Sequence, residues 1–76
     1  MEGKLKMIDS STFALLTAIK AGEEFSLHGS DHVALADAKV RDTGTGYLSV
    51  FIRANQKAGP DSWYCADVLE SLKVAG

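Results

Sequence analysis

Apolar residues recur at helical spacing near the start of the chain, over residues 10–21. Ser10 or Ser11 can cap the start of such a helix, and Gly22 stands where a left-handed residue would end it. The spacing therefore predicts a first helix over residues 10–21. Its apolar side consists of Phe13, Leu15, Leu16 and Ile19, widened by Ala14 and Ala18.

The middle of the chain alternates with the period of a strand instead. Residues 23–28 alternate clearly, and residues 47–54 are rich in aromatic and β-branched side chains. Residues 32–41 have good helix propensity, but they form no clean helical stripe and are followed by an obvious hairpin partner, so we interpret them as a strand. Turn residues at 29–31 and 42–46 then connect three strands into a meander.

The last third of the chain predicts a second helix. After a loop at residues 56–60, Asp61 or Ser62 can cap a helix that ends near Val74, with Cys65, Val68, Leu69 and Leu72 on its inner side. The predicted fold is a single α+β domain over residues 1–76. It is a three-stranded antiparallel β-meander flanked by an N-terminal and a C-terminal helix (α-β-β-β-α), with a short leading strand at residues 4–8 as an option.

The predicted hairpin divides its residues between two faces. With residues 42–46 as the loop, Arg41 opposes Tyr47, Lys39 opposes Ser49 and Val40 opposes Leu48. The face that carries Leu48, Val50 and Ile52 opposite small alanines is expected to form the core. The other face mixes apolar and basic side chains, so either a helix covers it or it meets another molecule, as exposed apolar patches of this kind do. Its predicted members are Leu35, Lys39, Arg41, Tyr47, Phe51 and Arg53.

Size and composition favour a chain that relies on a partner. A domain of 76 residues buries only roughly 60% of its unfolded surface and is marginally stable by itself. Its single cysteine, Cys65, permits no internal disulfide and fits a reducing, cytoplasmic compartment. The net charge of −2 gives no general attraction to nucleic acid or to an anionic membrane. No apolar run approaches the roughly 20 residues of a membrane span.

The candidate chemical groups do not assemble into an active site in the sequence. His28, Asp31 and His32 could contribute to a zinc site, but the fourth ligand is missing, so we interpret the two histidines as solvent-facing turn residues. Cys65 is better explained as a small buried core residue than as a nucleophile. Residues 43–46 contain two glycines but lead into a strand, and therefore predict a turn and not a phosphate loop. We expect no catalytic, metal or cofactor site.

The predicted function is stoichiometric protein binding by a small non-enzymatic regulator, an inhibitor or an adaptor, which also forms a homodimer. In size, acidity and lack of catalytic residues the chain is similar to many small accessory proteins of phages and mobile elements, although no motif carries that likeness. The alternative function is single-stranded nucleic-acid binding. Tyr47 and Phe51 would stack bases, while Lys39, Arg41 and Arg53 would contact phosphates.

Overall fold

The computed structural model describes residues 8–74, which form one short helix and seven strands. The helix α1 spans Ser10–Thr17. The strands are β1 (Glu24–Leu27), β2 (Ser30–Ala34), β3 (Lys39–Asp42), β4 (Tyr47–Ile52), β5 (Ala54–Gly59), β6 (Ser62–Cys65) and β7 (Val68–Lys73). They build a four-stranded sheet in the order β1-β2-β5-β6 and a three-stranded sheet in the order β3-β4-β7, and all pairings are antiparallel.

The helix begins at Ser10, one or two residues before the start that a cap at Ser10 or Ser11 implies, because its N-cap is Asp9; the prediction of Ser10 or Ser11 as the cap was wrong, and the helix also ends earlier than predicted. Asp9 is the N-cap, and its Oδ1 accepts the N–H of Thr12 at 3.0 Å. The hydrogen bonds from Thr12 hold the pKa of this exposed carboxyl below its usual range. The helix ends at Thr17, and the chain turns towards Gly22, which adopts a positive φ of 89°. The prediction that the helix continues to residue 21 was therefore wrong.

The predicted second helix does not exist, and its residues form β6 and β7. β7 pairs along its whole length with β4, where Val68 opposes Ile52 and Leu72 opposes Leu48. Pairing with β4 and burial of the apolar side of β7 stabilise the strand more than local helix propensity stabilises a helix, because propensity is only a weak determinant of structure. The α-β-β-β-α meander was consequently wrong, because the chain is mostly β with a single helix.

The predicted strand over residues 32–41 is broken into two strands that belong to different sheets. Residues 35–38 leave the sheet, where the N–H of Ala38 donates to Ile19 O at 3.0 Å and the Asp37 carboxylate accepts the N–H of Ala21 at 2.9 Å. The predicted loop at residues 56–60 was also wrong, since most of it lies in β5. The leading strand predicted at residues 4–8 lies almost wholly outside the described residues; Ile8, within them, donates its N–H to Ser71 O at 3.1 Å.

The core lies between the two sheets and under the helix. Val50 and Ile52 in β4 are completely buried, and Leu48 packs beside them, which confirms the predicted core side of that strand. β1 and β2 form a tight hairpin in which His28 and Gly29 both have positive φ, as a two-residue turn requires. The buried cluster consists of Phe13, Leu16, Ile19, Leu27, Ala34, Val50, Ile52, Ala54 and Val68. No helix among residues 8–74 is long and apolar enough to cross a membrane.

Candidate functional site

The described residues on the outer side of the three-stranded sheet include three cations and no acid. The observed register pairs Arg41 with Ser49 and Lys39 with Phe51, two residues away from the predicted pairing but with the same side-chain parity. Because directly opposed residues of antiparallel strands share a face, the pairing assigns eight side chains to this side. We call it the basic–apolar face, and its members are Lys39, Arg41, Tyr47, Ser49, Phe51, Leu69, Ser71 and Lys73.

A groove of about 390 Å³ crosses one end of the basic–apolar face. Its floor is apolar, with Phe51 half-buried and its pairing partner Leu69 57% exposed. Lys39 and Arg41 border it from β3, which is an edge strand with every residue exposed. The arrangement joins an apolar surface to two neighbouring positive charges. The complete groove lining is Lys39, Val40, Arg41, Ser49, Phe51 and Leu69.

Three of the six predicted interaction residues, Lys39, Arg41 and Phe51, therefore line one groove. Tyr47 shares their face but lies four residues from Phe51 along β4, about 13 Å at ~3.3 Å per residue, beside a different cavity. The two rings do not form one continuous platform.

The other two predicted residues, Leu35 and Arg53, lie at the corner where β4 continues into β5. There the N–H of Leu35 donates to Arg53 O at 2.7 Å. The Arg53 guanidinium is 3.8 Å from the Asp67 carboxylate, so part of its charge is compensated. The structure does not bring these two residues into the groove.

The three residues that were considered as zinc ligands, His28, Asp31 and His32, do not converge in the structure. Asp31 and His32 point to opposite sides of β2, and the Asp31 carboxylate accepts the hydroxyl of Ser26 at 2.8 Å. His32 is only 5% exposed and stacks on Phe25 with ring centroids 5.1 Å apart, so its interpretation as a solvent-facing turn residue was wrong. His28 is exposed, as expected. Among residues 8–74, no group of three or more His, Cys, Asp or Glu side chains is arranged to hold a metal ion.

His28 and His32 instead border a cleft of about 390 Å³ between the two sheets. The opposite wall belongs to β7, where Glu70 is 3% exposed and its Oε2 lies 3.1 Å from His28 Nε2. The Nδ1 of His32 lies 3.2 Å from Ser30 O, and a carbonyl oxygen only accepts, so this nitrogen carries the proton. We call this space the inter-sheet cleft. It is lined by Leu27, His28, Ser30, His32, Gln56 and the residues from Ala66 to Glu70.

Glu70 was not predicted as a site residue from the sequence. In the predicted helix over residues 61–74, a glutamate is expected on the solvent side. In the observed strand, Glu70 lies on the same side as Val68 and Leu72, and that side faces the interior. A buried glutamate also interrupts the alternation of apolar and polar residues by which a strand is recognised. The sequence of β7 therefore did not indicate a strand.

Strand β6 exposes residues that were assigned to a helix. Cys65 is exposed, so its interpretation as a core cysteine was wrong. Trp63 and Tyr64 are 38% and 48% exposed and point to opposite sides of this edge strand. The ammonium of Lys57 lies 5.9 Å from the Trp63 ring centroid, within cation–π range.

Comparisons with known proteins provide no further assignment. No protein-family model, no curated protein and no solved structure matches this chain. The groove of the basic–apolar face and the inter-sheet cleft are therefore the features from which a function can be inferred.

Proposed function

We propose that this chain is a small non-enzymatic binding protein that holds an acidic, partly apolar segment of another protein in the groove of the basic–apolar face. By occupying that segment it acts as an inhibitor or an adaptor. The observation that carries the proposal is the charge of the face: Lys39, Arg41 and Lys73 lie there with no acid among the strand residues that the structure describes, although the chain has an excess of acidic residues.

The groove supplies both parts of such recognition. Phe51 and Leu69 offer apolar area that a partner side chain can cover, and exposed apolar surface rimmed by polar groups is typical of interaction sites. Lys39 and Arg41 attract acidic groups and exclude basic ones, so they contribute to specificity and to the rate of association. Since β3 is an edge strand, a partner segment can also hydrogen-bond to its free backbone edge.

Single-stranded nucleic acid is the second candidate, because phosphates would also be attracted to the three cations. The separation of Tyr47 from Phe51 argues against it, since base stacking uses aromatic side chains in succession. Self-association remains a prediction as well, and light scattering at tens of micromolar protein measures it directly.

The experiment selects binding peptides from a displayed random library against the wild-type protein and two variants. Lys39→Glu/Arg41→Glu reverses the charge of the groove. Lys20→Glu/Lys57→Glu makes the same change in net charge away from it, since Lys20 lies 3.9 Å from Asp37 and Lys57 lies over Trp63.

The wild type and the control variant should both enrich peptides that combine Asp or Glu with a large apolar residue, and the groove variant should not. Peptides without acidic enrichment, or equal enrichment on all three proteins, would contradict the proposal. Salt-sensitive binding of a thymidine oligonucleotide that the groove variant loses would favour the second candidate instead.

A further inference from the structure

The inter-sheet cleft contains a buried carboxylate that is only half satisfied. Glu70 opposes the completely buried Val50 across the β4–β7 pair and is itself 3% exposed. Its Oε2 pairs with His28 Nε2, whereas its Oε1 is buried and has no hydrogen-bond partner among residues 8–74. Buried polar atoms are almost always hydrogen-bonded, so an orphaned carboxylate oxygen beside a cavity indicates a missing donor.

The lining of the cleft specifies what kind of donor is missing. Glu70 supplies the carboxylate, because that of Asp67 already accepts the N–H of Ala54 at 3.0 Å and lies 3.8 Å from the Arg53 guanidinium. In its neutral form His32 offers Nε2 only as an acceptor, because Nδ1 donates to Ser30 O. Within the described part of the chain, neither lysine nor arginine lines the cleft. A lining rich in acceptors complements a ligand rich in N–H donors, and carboxylates bind guanidinium and ammonium groups most strongly.

We infer that the inter-sheet cleft binds a small organic cation, a guanidinium or primary ammonium group, with Glu70 as its principal ligand. The volume of about 390 Å³ is within the usual range of small-molecule pockets, roughly 300–1,000 Å³. The half-exposed imidazole of His28 lies on the solvent side of Glu70. The cation therefore reaches the carboxylate by displacing His28, which sits in the two-residue β1–β2 turn.

This site is distinct from the docking groove, and only Leu69 borders both. The cation can be a free small molecule or the arginine side chain of a peptide. Both sources present the same N–H donors, so the experiment needs one arm for each.

The experiment titrates the 15N-labelled protein with agmatine, with pentanol as the neutral control, and with matched tripeptides that contain arginine or citrulline. Agmatine should shift the amide signals of His28, Gln56 and Glu70, whereas pentanol should not. If a peptide is the source, the arginine tripeptide binds more tightly than agmatine and the citrulline tripeptide does not bind. If agmatine and the arginine tripeptide both leave the cleft signals unchanged, the inference is wrong.

Substitutions of Glu70 test whether this residue binds the cation or only supports the fold. Glu70→Gln should weaken agmatine binding at least tenfold, while Asp61→Asn, an equal loss of charge in the β5–β6 turn, should leave it unchanged. Glu70→Leu should abolish binding and raise the urea midpoint of unfolding, because it removes an orphaned buried oxygen. His28→Ala removes the group that the cation displaces from Glu70 and should therefore tighten agmatine binding. Unchanged affinity in Glu70→Gln, a lowered midpoint in Glu70→Leu, or weaker binding in His28→Ala would each overturn the assignment.

Discussion

Truncating Ile52 to alanine should destabilise the protein severely, whereas replacing Leu69 by lysine should hardly affect its stability. Ile52 is completely buried at the end of β4 and opposes Val68 in β7. The next pair along the same two strands, Phe51 and Leu69, points to the outer side, where Leu69 is 57% exposed. The two substitutions therefore test which side of one sheet is the core.

The magnitude follows from the atoms removed. Ile52→Ala deletes three carbons at about 0.8 kcal/mol each, and the remaining cavity adds to that loss. A total of about 3–4 kcal/mol is within the range for such truncations. A chain of 76 residues has a free energy of unfolding of roughly 4–11 kcal/mol, so this single change removes a large fraction of it. Leu69→Lys should stay within about 0.5 kcal/mol, as exposed substitutions usually do.

Urea unfolding followed by circular dichroism measures both variants. With a slope near 1 kcal/mol/M for a small domain, Ile52→Ala should lower the midpoint by about 3 M and Leu69→Lys by less than 0.5 M. Ile52→Val is the graded control and should cost about 0.5–1.5 kcal/mol. If Leu69→Lys unfolds the protein while Ile52→Ala leaves it stable, the faces are reversed and the basic–apolar face cannot be a binding surface.

Three further predictions concern the helix cap, a turn and the cysteine. Because its pKa is lowered in the folded protein, the Asp9 carboxylate stabilises α1 at neutral pH, and this stabilisation is lost as the pH falls through the lowered pKa. The helical circular dichroism signal should decrease in that acidic range, and Asp9→Ala should abolish the decrease. Gly29→Ala should cost about 1–2 kcal/mol, because Gly29 has a φ of 80°; an unchanged urea midpoint would refute the turn. Exposed Cys65 should react with a thiol reagent in the folded protein, and protection that is lost only on unfolding would contradict its exposure.

The sequence predicted those parts of the fold whose determinants are local. The approximate start of the helix, the strand at Glu24–Leu27 and the hairpin that joins β3 to β4 follow from helical spacing, alternation and turn residues, although the cap itself is Asp9. The side-chain parity of β4 was also predictable, since a two-residue error in register leaves every side chain on its own face.

The parts that could not be predicted depend on contacts between distant segments. β7 is a strand because β4 offers it a partner, although its local sequence suits a helix. The break after Ala34 depends on the hydrogen bond between Ala38 and Ile19, which no local pattern encodes. Likewise, three of the six interaction residues meet in the groove because their strands pair locally, whereas the Glu70–His28 contact joins residues 42 positions apart.

The most direct test of the proposed binding face is a chemical-shift map of the 15N-labelled protein titrated with an acidic, apolar peptide from the display selection. If the account is correct, the largest shifts fall on Val40, Ser49, Phe51 and Leu69, and they disappear in Lys39→Glu/Arg41→Glu. Shifts that concentrate on Trp63 and Tyr64 in β6, or that persist unchanged in the groove variant, would place binding elsewhere and contradict it.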